Sequence, residues 1–418
     1  MEYRSKRQDG KAMSKMLGTL RNRELLKIYL IPLIGNSTAS MTWAIAVLYA
    51  LDLRATILQV NLITAIWGTM GIFLQVPFGI LSDRFGRKRM LLIPQIMMLL
   101  GTTLRALATD PNQLIIASVV GGFAGGSFFP ILLSIVGDVA SARERGEAIG
   151  TFFFFSSVGM LVGPTVGSII LTLPYVQLRT LYQIDGVFQT FVLLYIVFMI
   201  KEPKKVSMMT GYRGSVAKLL REGGMIAAVV MAALYFLYSA IMNNYVPIYA
   251  RRVVGLSDPL IASFSGYRNL GIMLIRLSSI TILARLSTKR LLTLVLVLGG
   301  VVGLGVPYAG SYPELVFLML LYGTSFGATI LLGSTVVAEV STPSNRGIAN
   351  SINSLAQSSG TIAQMLTTSI AENLGLMPVF TLGGFLSLLS TIPITLLYSS
   401  PGDRNLKTET TLEPTHSP

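Results

Sequence analysis

Twelve apolar stretches, each near the roughly 20 residues that a helix needs to cross a bilayer core, succeed one another with the charges confined to short runs between them. None alternates as a membrane barrel strand would, and each is far longer than such a strand. Lipid offers no hydrogen-bond partners, so a spanning chain of this kind closes its backbone bonds inside helices. Charged residues make up 12% of the chain and hydrophobic ones 52%. A soluble domain carries about twice that charge. The expected fold class is an all-α membrane protein.

The stretches fall near 29–50, 59–81, 90–108, 113–139, 149–173 and 181–200, then 225–250, 259–286, 291–308, 315–340, 348–374 and 379–398. Five regions follow: a cytosolic N-terminal segment 1–28, a six-helix bundle 29–200, a linker 201–224, a second bundle 225–398 and a polar tail 399–418. The N-terminal segment is basic, with no apolar core before a cleavage site, and does not read as a signal peptide.

The net charge of +14 does not point to nucleic acid, because the positive charges sit in alternate loops. Of 33 Lys and Arg residues, 26 lie on one side; Arg54, Arg105, Arg179, Arg251 and Arg252 lie on the other, and Arg268 and Arg276 fall inside a span. Such a bias places the rich side, with both termini, in the cytosol of a cell-membrane protein. The chain has no cysteine, and its one histidine, His416, is in the tail. Thiolate metal sites, disulfides and an intramembrane histidine are therefore excluded, and no cofactor or metal is expected. The glycine run Gly121–Gly126 has no P-loop lysine and sits inside a span.

The two halves repeat at a constant offset of 201. Arg84 meets Arg285, Lys88 meets Lys289, Asp138 meets Glu339, Arg145 meets Arg346 and Gly159 meets Gly360. Chance matching of apolar residues does not align charges and glycines. Two parallel six-helix repeats with a solute site between them at mid-membrane is a known transporter plan.

The loop after the second span reads Gly79-Ile-Leu-Ser-Asp83-Arg84-Phe-Gly86-Arg87-Lys88-Arg89. It resembles the signature loop of the major facilitator superfamily, G-x3-D-R-x-G-x-R/K-R/K, at every specified position. Span 5, with Gly150, Gly159, Gly163, Pro164 and Gly167, resembles that family's antiporter motif, with Ser168 in place of its last glycine. The resemblance implies a 12-span drug or metabolite:proton antiporter that exports a small molecule by alternating access and is usually monomeric. It also implies a cytosolic latch of Gly79, Asp83, Arg84, Gly86, Lys88 and Arg89, joined by Asp138, Arg145, Glu339 and Arg346, with the span 5 glycines forming a seam between halves. In the second half Ala284 replaces Asp83 and Ser287 replaces Gly86, so the latch is expected to be one-sided.

Ionisable residues inside a membrane are the first candidates for a site. Asp185 is the acid clearly inside a span and the candidate proton carrier, with Arg268 as a conceivable partner; Arg276 either binds an anion or snorkels. Asn36, Asn243, Asn244, Tyr245, Tyr322 and Ser325 are further candidates, because the family lines its central path with spans 1, 4, 7 and 10. Two alternatives stand beside export: cation-coupled uptake of an anionic metabolite or sugar through Arg268 and Arg276, and a membrane sensor that moves nothing. No catalytic constellation indicates an enzyme.

Overall fold

The computed structural model describes residues 19–141, 144–202, 222–283, 287–342 and 345–399, without the side chains of 72–76, 79, 80, 83, 277–283, 346 and 347. The N-terminal segment before residue 19, most of the linker, Ala284 and the tail from residue 400 lie outside the described residues.

All twelve expected spans are helical over most of their described residues. The first six are α1 (Arg23–Asp52), α2 (Ile57–Phe85), α3 (Arg87–Leu107), α4 with α5 (Pro111–Gly125, Phe128–Val139), α6 (Arg145–Ile170) and α7 (Leu178–Met199). The second six are α8 (Gly223–Arg252), α9 (Asp258–Leu283), α10 (Thr288–Gly305), α11 (Tyr312–Val340), α12 with α13 (Arg346–Ala363, Thr367–Asn373) and α14 with α15 (Leu376–Leu389, Thr391–Leu397). Among the described residues, nine helical stretches are long and apolar enough by themselves to cross a membrane.

The helices start slightly ahead of the apolar stretches because polar residues cap them. Asn22 accepts the N–H groups of Glu24 and Leu25. Thr56 with Gln59, and Ser311 with Glu314, form capping boxes for α2 and α11, and Asp110 precedes Pro111 at the head of α4. Such caps satisfy the orphan donors of a first turn and mark its start.

The chain divides into two compact units. The first takes Met1–Met209 and Ala250–Asn269; the second takes Thr210–Tyr249 and Leu270–Pro418. The segment 250–269, which begins in the last turn of α8, thus packs with the first unit. Its anchors are visible. Arg251 reaches Asp52 at 2.6 Å, Asp258 at 3.4 Å and the carbonyl of Leu48 at 3.2 Å. Ser168 donates to the carbonyl of Pro259 at 2.7 Å, and the Asn269 amide to that of Met160 at 2.6 Å.

Glycine sets the tightest crossings in the first unit. A Cβ on Gly126 would lie 1.5 Å from the carbonyl oxygen of Gly71, so α2 meets the junction of α4 and α5 backbone to backbone. The run Gly121–Gly126 is therefore a packing surface for α2: Gly122 faces Met70, and Gly125 faces the Trp67 ring. The same register recurs in the second unit, where a Cβ on Gly327 would lie 2.9 Å from the Cα of Ile272.

The span 5 glycines also form a seam, but with a different partner from the one expected. A Cβ on Gly159 would lie 2.5 Å from the Leu33 carbonyl oxygen, one on Gly163 1.8 Å from that of Ser37, and one on Gly167 2.6 Å from Met41. All three face α1 of the same bundle, so the seam is internal to the first half. Gly150 has nothing within 4 Å. Pro164 and Thr165 instead look toward Gly266 of α9. In the second half Gly360 repeats the contact of Gly159, its missing Cβ lying 2.2 Å from the Ala233 carbonyl oxygen of α8.

Candidate functional site

The interior of the first bundle holds a cavity of about 80 Å³. Its walls come from α1 (Thr42, Trp43), α2 (Thr64, Trp67), α3 (Thr102, Arg105), α4 (Ser118, Gly121) and α7 (Tyr182, Asp185, Gln189). Asp185 is 2% exposed and is the only charged residue among the fully buried polar groups described. Its Oδ2 accepts from Thr102 Oγ1 at 3.1 Å and Thr42 Oγ1 at 3.4 Å, and its Oδ1 from Gln189 Nε2 at 3.0 Å. Gln189 also reaches Thr38 at 3.4 Å and accepts from Gln95 at 3.0 Å, which carries the network across α1, α3 and α7. A buried carboxylate needs such donors, since an unsatisfied buried charge is very costly.

Arg105 faces the same cavity. Its two terminal guanidinium nitrogens lie 3.2 Å from where a Cβ on Gly121 would be, so the absent side chain at Gly121 makes its berth. This corrects the assignment of Arg105 to the outer side: it turns inward from the last turn of α3. It also changes the expected partner of Asp185. The cation sharing its cavity is Arg105, whereas Arg268 donates to the neighbouring Asn269 side chain at 3.3 Å. Arg276 is exposed.

The other candidates separate into distinct bonds. Asn36 donates to Ser156 at 2.7 Å, joining α1 to α6. Asn243 donates to the Tyr322 hydroxyl at 3.2 Å, and Tyr322 pairs with Ser239 at 2.7 Å. Asn244 and Tyr245 face the other way: Asn244 donates to Gln364 at 2.8 Å, and the Tyr245 hydroxyl pairs with Thr367 at 2.8 Å. Ser325 pairs with Tyr235 at 2.9 Å. Of the proposed central-path residues, the structure therefore joins Asn243 with Tyr322 and leaves the others in separate interhelical contacts.

The sequence reading missed Arg105, Thr42, Thr102 and Gln189. A signal for Arg105 existed. It lies three residues from the C-terminal end of span 3, and Asp185 four from the N-terminal end of span 6, ends that alternating spans put on one side. At about 1.5 Å per residue the two sit at the same depth, which is a condition for pairing.

The family model described as Major Facilitator Superfamily matches residues 29–364, with a second match over 281–417. The chain belongs to the major facilitator superfamily. A 93-residue stretch is 38% identical to "Multidrug resistance protein 3" of Bacillus subtilis (strain 168), taking in 22% of this chain and 18% of that protein. Another stretch, of 132 residues, is 33% identical to "Efflux pump dotC" of Dothistroma septosporum (strain NZE10 / CBS 128990), taking in 32% of this chain and 20% of that one. The chain thus spans about a fifth of the length of these curated relatives. The solved nucleoside transporter NupG superposes with a TM-score of 0.75 at 15% identity, over 90% of this chain and 100% of that one, which shows a shared fold. Family membership and the nine long apolar helices among the described residues mark a multi-pass membrane protein.

The family's signature loop has a definite geometry here. Gly86 ends α2 and opens α3 at φ +103°, a conformation that favours glycine. A Cβ there would stand 3.0 Å from the Glu202 carboxylate. Glu202 accepts the Lys88 backbone N–H at 3.1 and 3.3 Å, placing a negative charge at the N-terminus of α3. The Lys88 ammonium donates to the Val197 carbonyl at 2.7 Å. Asp138 pairs with Arg87 at 3.0 Å, and Arg87 also reaches Ser82 at 2.9 Å. Arg145 donates to the Gly137 carbonyl at 3.1 Å. Asp138 is thus tied to the signature loop through Arg87, while Glu202 separately caps the start of α3; the sequence singled out neither Arg87 nor Glu202. Arg84 and Arg89 are exposed; the side chains of Asp83 and Arg346 lie outside the described residues. In the second half Glu339 accepts from the Tyr398 hydroxyl and, at 3.5 Å, from Thr288.

Proposed function

We infer that the protein is a proton-driven exporter of small amphipathic molecules, working by alternating access as a monomer in the cell membrane with both termini cytosolic. The observation that carries this reading is Asp185: a single carboxyl 2% exposed, held by three donors on the wall of a cavity. A buried acid in a membrane bundle is costly, so its presence points to ion movement or to a paired structural role. Exchange rather than uptake is supported by the span 5 glycine motif and by relatives named as efflux or multidrug resistance proteins.

In this reading the Arg87–Asp138 pair and the Glu202 cap hold the cytosolic end of the first bundle when the solute site faces outward, with Asp83 and Arg84 beside them. A cavity of about 80 Å³ is too small for a drug-sized solute, whose pockets run to about 300–1,000 Å³, so cargo and proton take different sites.

The test is transport in proteoliposomes loaded with a cationic dye under an imposed pH gradient. Dye movement against its gradient, driven by protons moving the opposite way and unaffected by Arg268→Ala, is expected. Movement of an anion that depends on Arg268 and Arg276, with no response from cationic dyes, would replace export with anion uptake.

A further inference from the structure

We propose that Arg105 makes the cavity of the first bundle a proton site that rejects sodium. The proposal rests on the reading of Asp185 as the proton carrier and adds the residue that decides which ion it carries. The hydroxyls of Thr42, Thr64, Thr102 and Ser118, the Gln189 amide and the Asp185 carboxylate all line this cavity. Taken alone, that oxygen set suits a sodium ion or a proton. The Ser118 hydroxyl is fully buried with no protein partner, and a buried hydroxyl beside the Asp185 and threonine groups of a cavity this size is a place for water. Arg105 decides between the two ions. Its guanidinium lies on Gly121 within the same small volume, and a second permanent cation there would be repelled at short range in a medium of low polarity. A proton adds no separate cation, because it neutralises Asp185.

The hydrogen bonds suit both protonation states. With Asp185 ionised, Thr42 and Thr102 donate to its Oδ2. With Asp185 protonated at Oδ2, the new O–H donates to Thr42 Oγ1. The Thr42 hydrogen then turns to the Ala39 carbonyl, already within 3.0 Å. One proton is gained, one hydroxyl rotates, and no group is left unsatisfied. The charged or titratable groups facing Asp185 are Arg105 on α3, Tyr182 on its own helix and, behind Tyr182, Tyr49 of α1. The walls from α2 and α4 contribute none. Arg105 is thus a positioning residue acting on one acid.

The protein carries its own reporter. It has two tryptophans, Trp43 and Trp67; both line this cavity and their rings pack 4.9 Å apart. Tryptophan emission of the full-length purified protein, without substrate or gradient, therefore reads the charge state of the cavity. Between about pH 4 and pH 9 one reversible transition is expected, lost in Asp185→Asn. Arg105→Gln moves its midpoint upward by about one pH unit, a tenfold tighter hold on the proton, and Arg105→Lys restores it. Replacing choline chloride by sodium chloride at about 0.1 M keeps screening constant and leaves the wild-type midpoint in place. In Arg105→Gln the same exchange lowers the midpoint, as sodium begins to compete.

A sodium-dependent midpoint in the wild type overturns the proposal, and that measurement needs no variant to fold. A transition that survives Asp185→Asn, or a midpoint unmoved in Arg105→Gln, also overturns it. If the cavity titrates as expected while dye transport ignores the pH gradient, the exporter reading fails and the site stands; gradient-driven export with a sodium-sensitive cavity is the reverse case.

Discussion

At the register position where the first half has Gly121, the second half has Tyr322, and the two bundle interiors are organised around that exchange. In the first, the small residue makes room for the Arg105 guanidinium, while Thr42 of α1 bonds Asp185 and Thr38 accepts from Gln189 beside it. In the second, a fully buried tyrosine ring stands there, and Ser239 and Asn243 of α8 bond its hydroxyl. Ser239 and Asn243 are the register counterparts of Thr38 and Thr42. The same two positions of a repeated helix thus serve a charged network in one half and a neutral one in the other.

The signature-loop ends of the two halves differ in the same sense. Arg87 pairs with Asp138 through two charges, whereas their counterparts Thr288 and Glu339 share one long hydrogen bond. The packing seam differs too. Gly163 lets α6 touch the α1 backbone; its counterpart Gln364 begins a turn of 3-10 helix and bonds Asn244. A duplicated bundle has kept its crossings and specialised its polar groups. At these matched positions the first half uses charged partners and the second mostly neutral donors.

The largest test of this division is on transport. Asp185→Asn is expected to abolish the response of dye export to a pH gradient, while Tyr322→Phe keeps it within about threefold, the scale of one neutral hydrogen bond. Equal losses in liposome assays would end the asymmetry.

Next comes the seam. Gly163→Ala puts a Cβ against the Ser37 backbone and is expected to cost about 3 kcal/mol or more, at the upper end of over-packing. Gln364→Ala removes one bond to the buried Asn244 amide and is expected to cost about 1–2 kcal/mol. Thermal unfolding of the two purified variants ranks them, and a milder Gly163→Ala would show that the first seam is looser than its geometry.

At the signature loop Arg87→Gln leaves Asp138, about a fifth exposed, without its cation, and about 1–2 kcal/mol is expected to be lost. Thr288→Val gives up only a 3.5 Å bond and is expected to cost under about 0.5 kcal/mol. The same unfolding assay reads both. The smallest effect belongs to Gly150→Ala: with open space around it, the change is expected to be neutral or to stabilise the helix by up to about 1 kcal/mol. A destabilised Gly150→Ala would mean that this glycine packs against something after all.

Much of this was legible beforehand. Apolar length located all twelve spans, because lipid forces helices and sets their length. The offset of 201 located the repeat because charges and glycines recur in it. Misreadings came where a residue's direction mattered. Arg105 near a span end reads as a loop charge, because a sequence carries depth but not the side of the helix a side chain leaves from. The span 5 glycines announce close packing without naming the partner, and α1 turned out to be that partner. Arg87 is one of four basic residues in its loop, and only the approach of α5 selects it for Asp138.

By itself, then, the sequence determined a helical membrane bundle of two related halves with the complete signature loop in the first, since these follow from apolar length, recurrence and residue type. Which charge meets which was decided by the tertiary structure, because hydrogen bonds and ion pairs act over a few ångströms and helices far apart in the chain must first be packed to bring them that close. Gly121, ordinary in the sequence, acquires its meaning only when α3 lays a guanidinium on it.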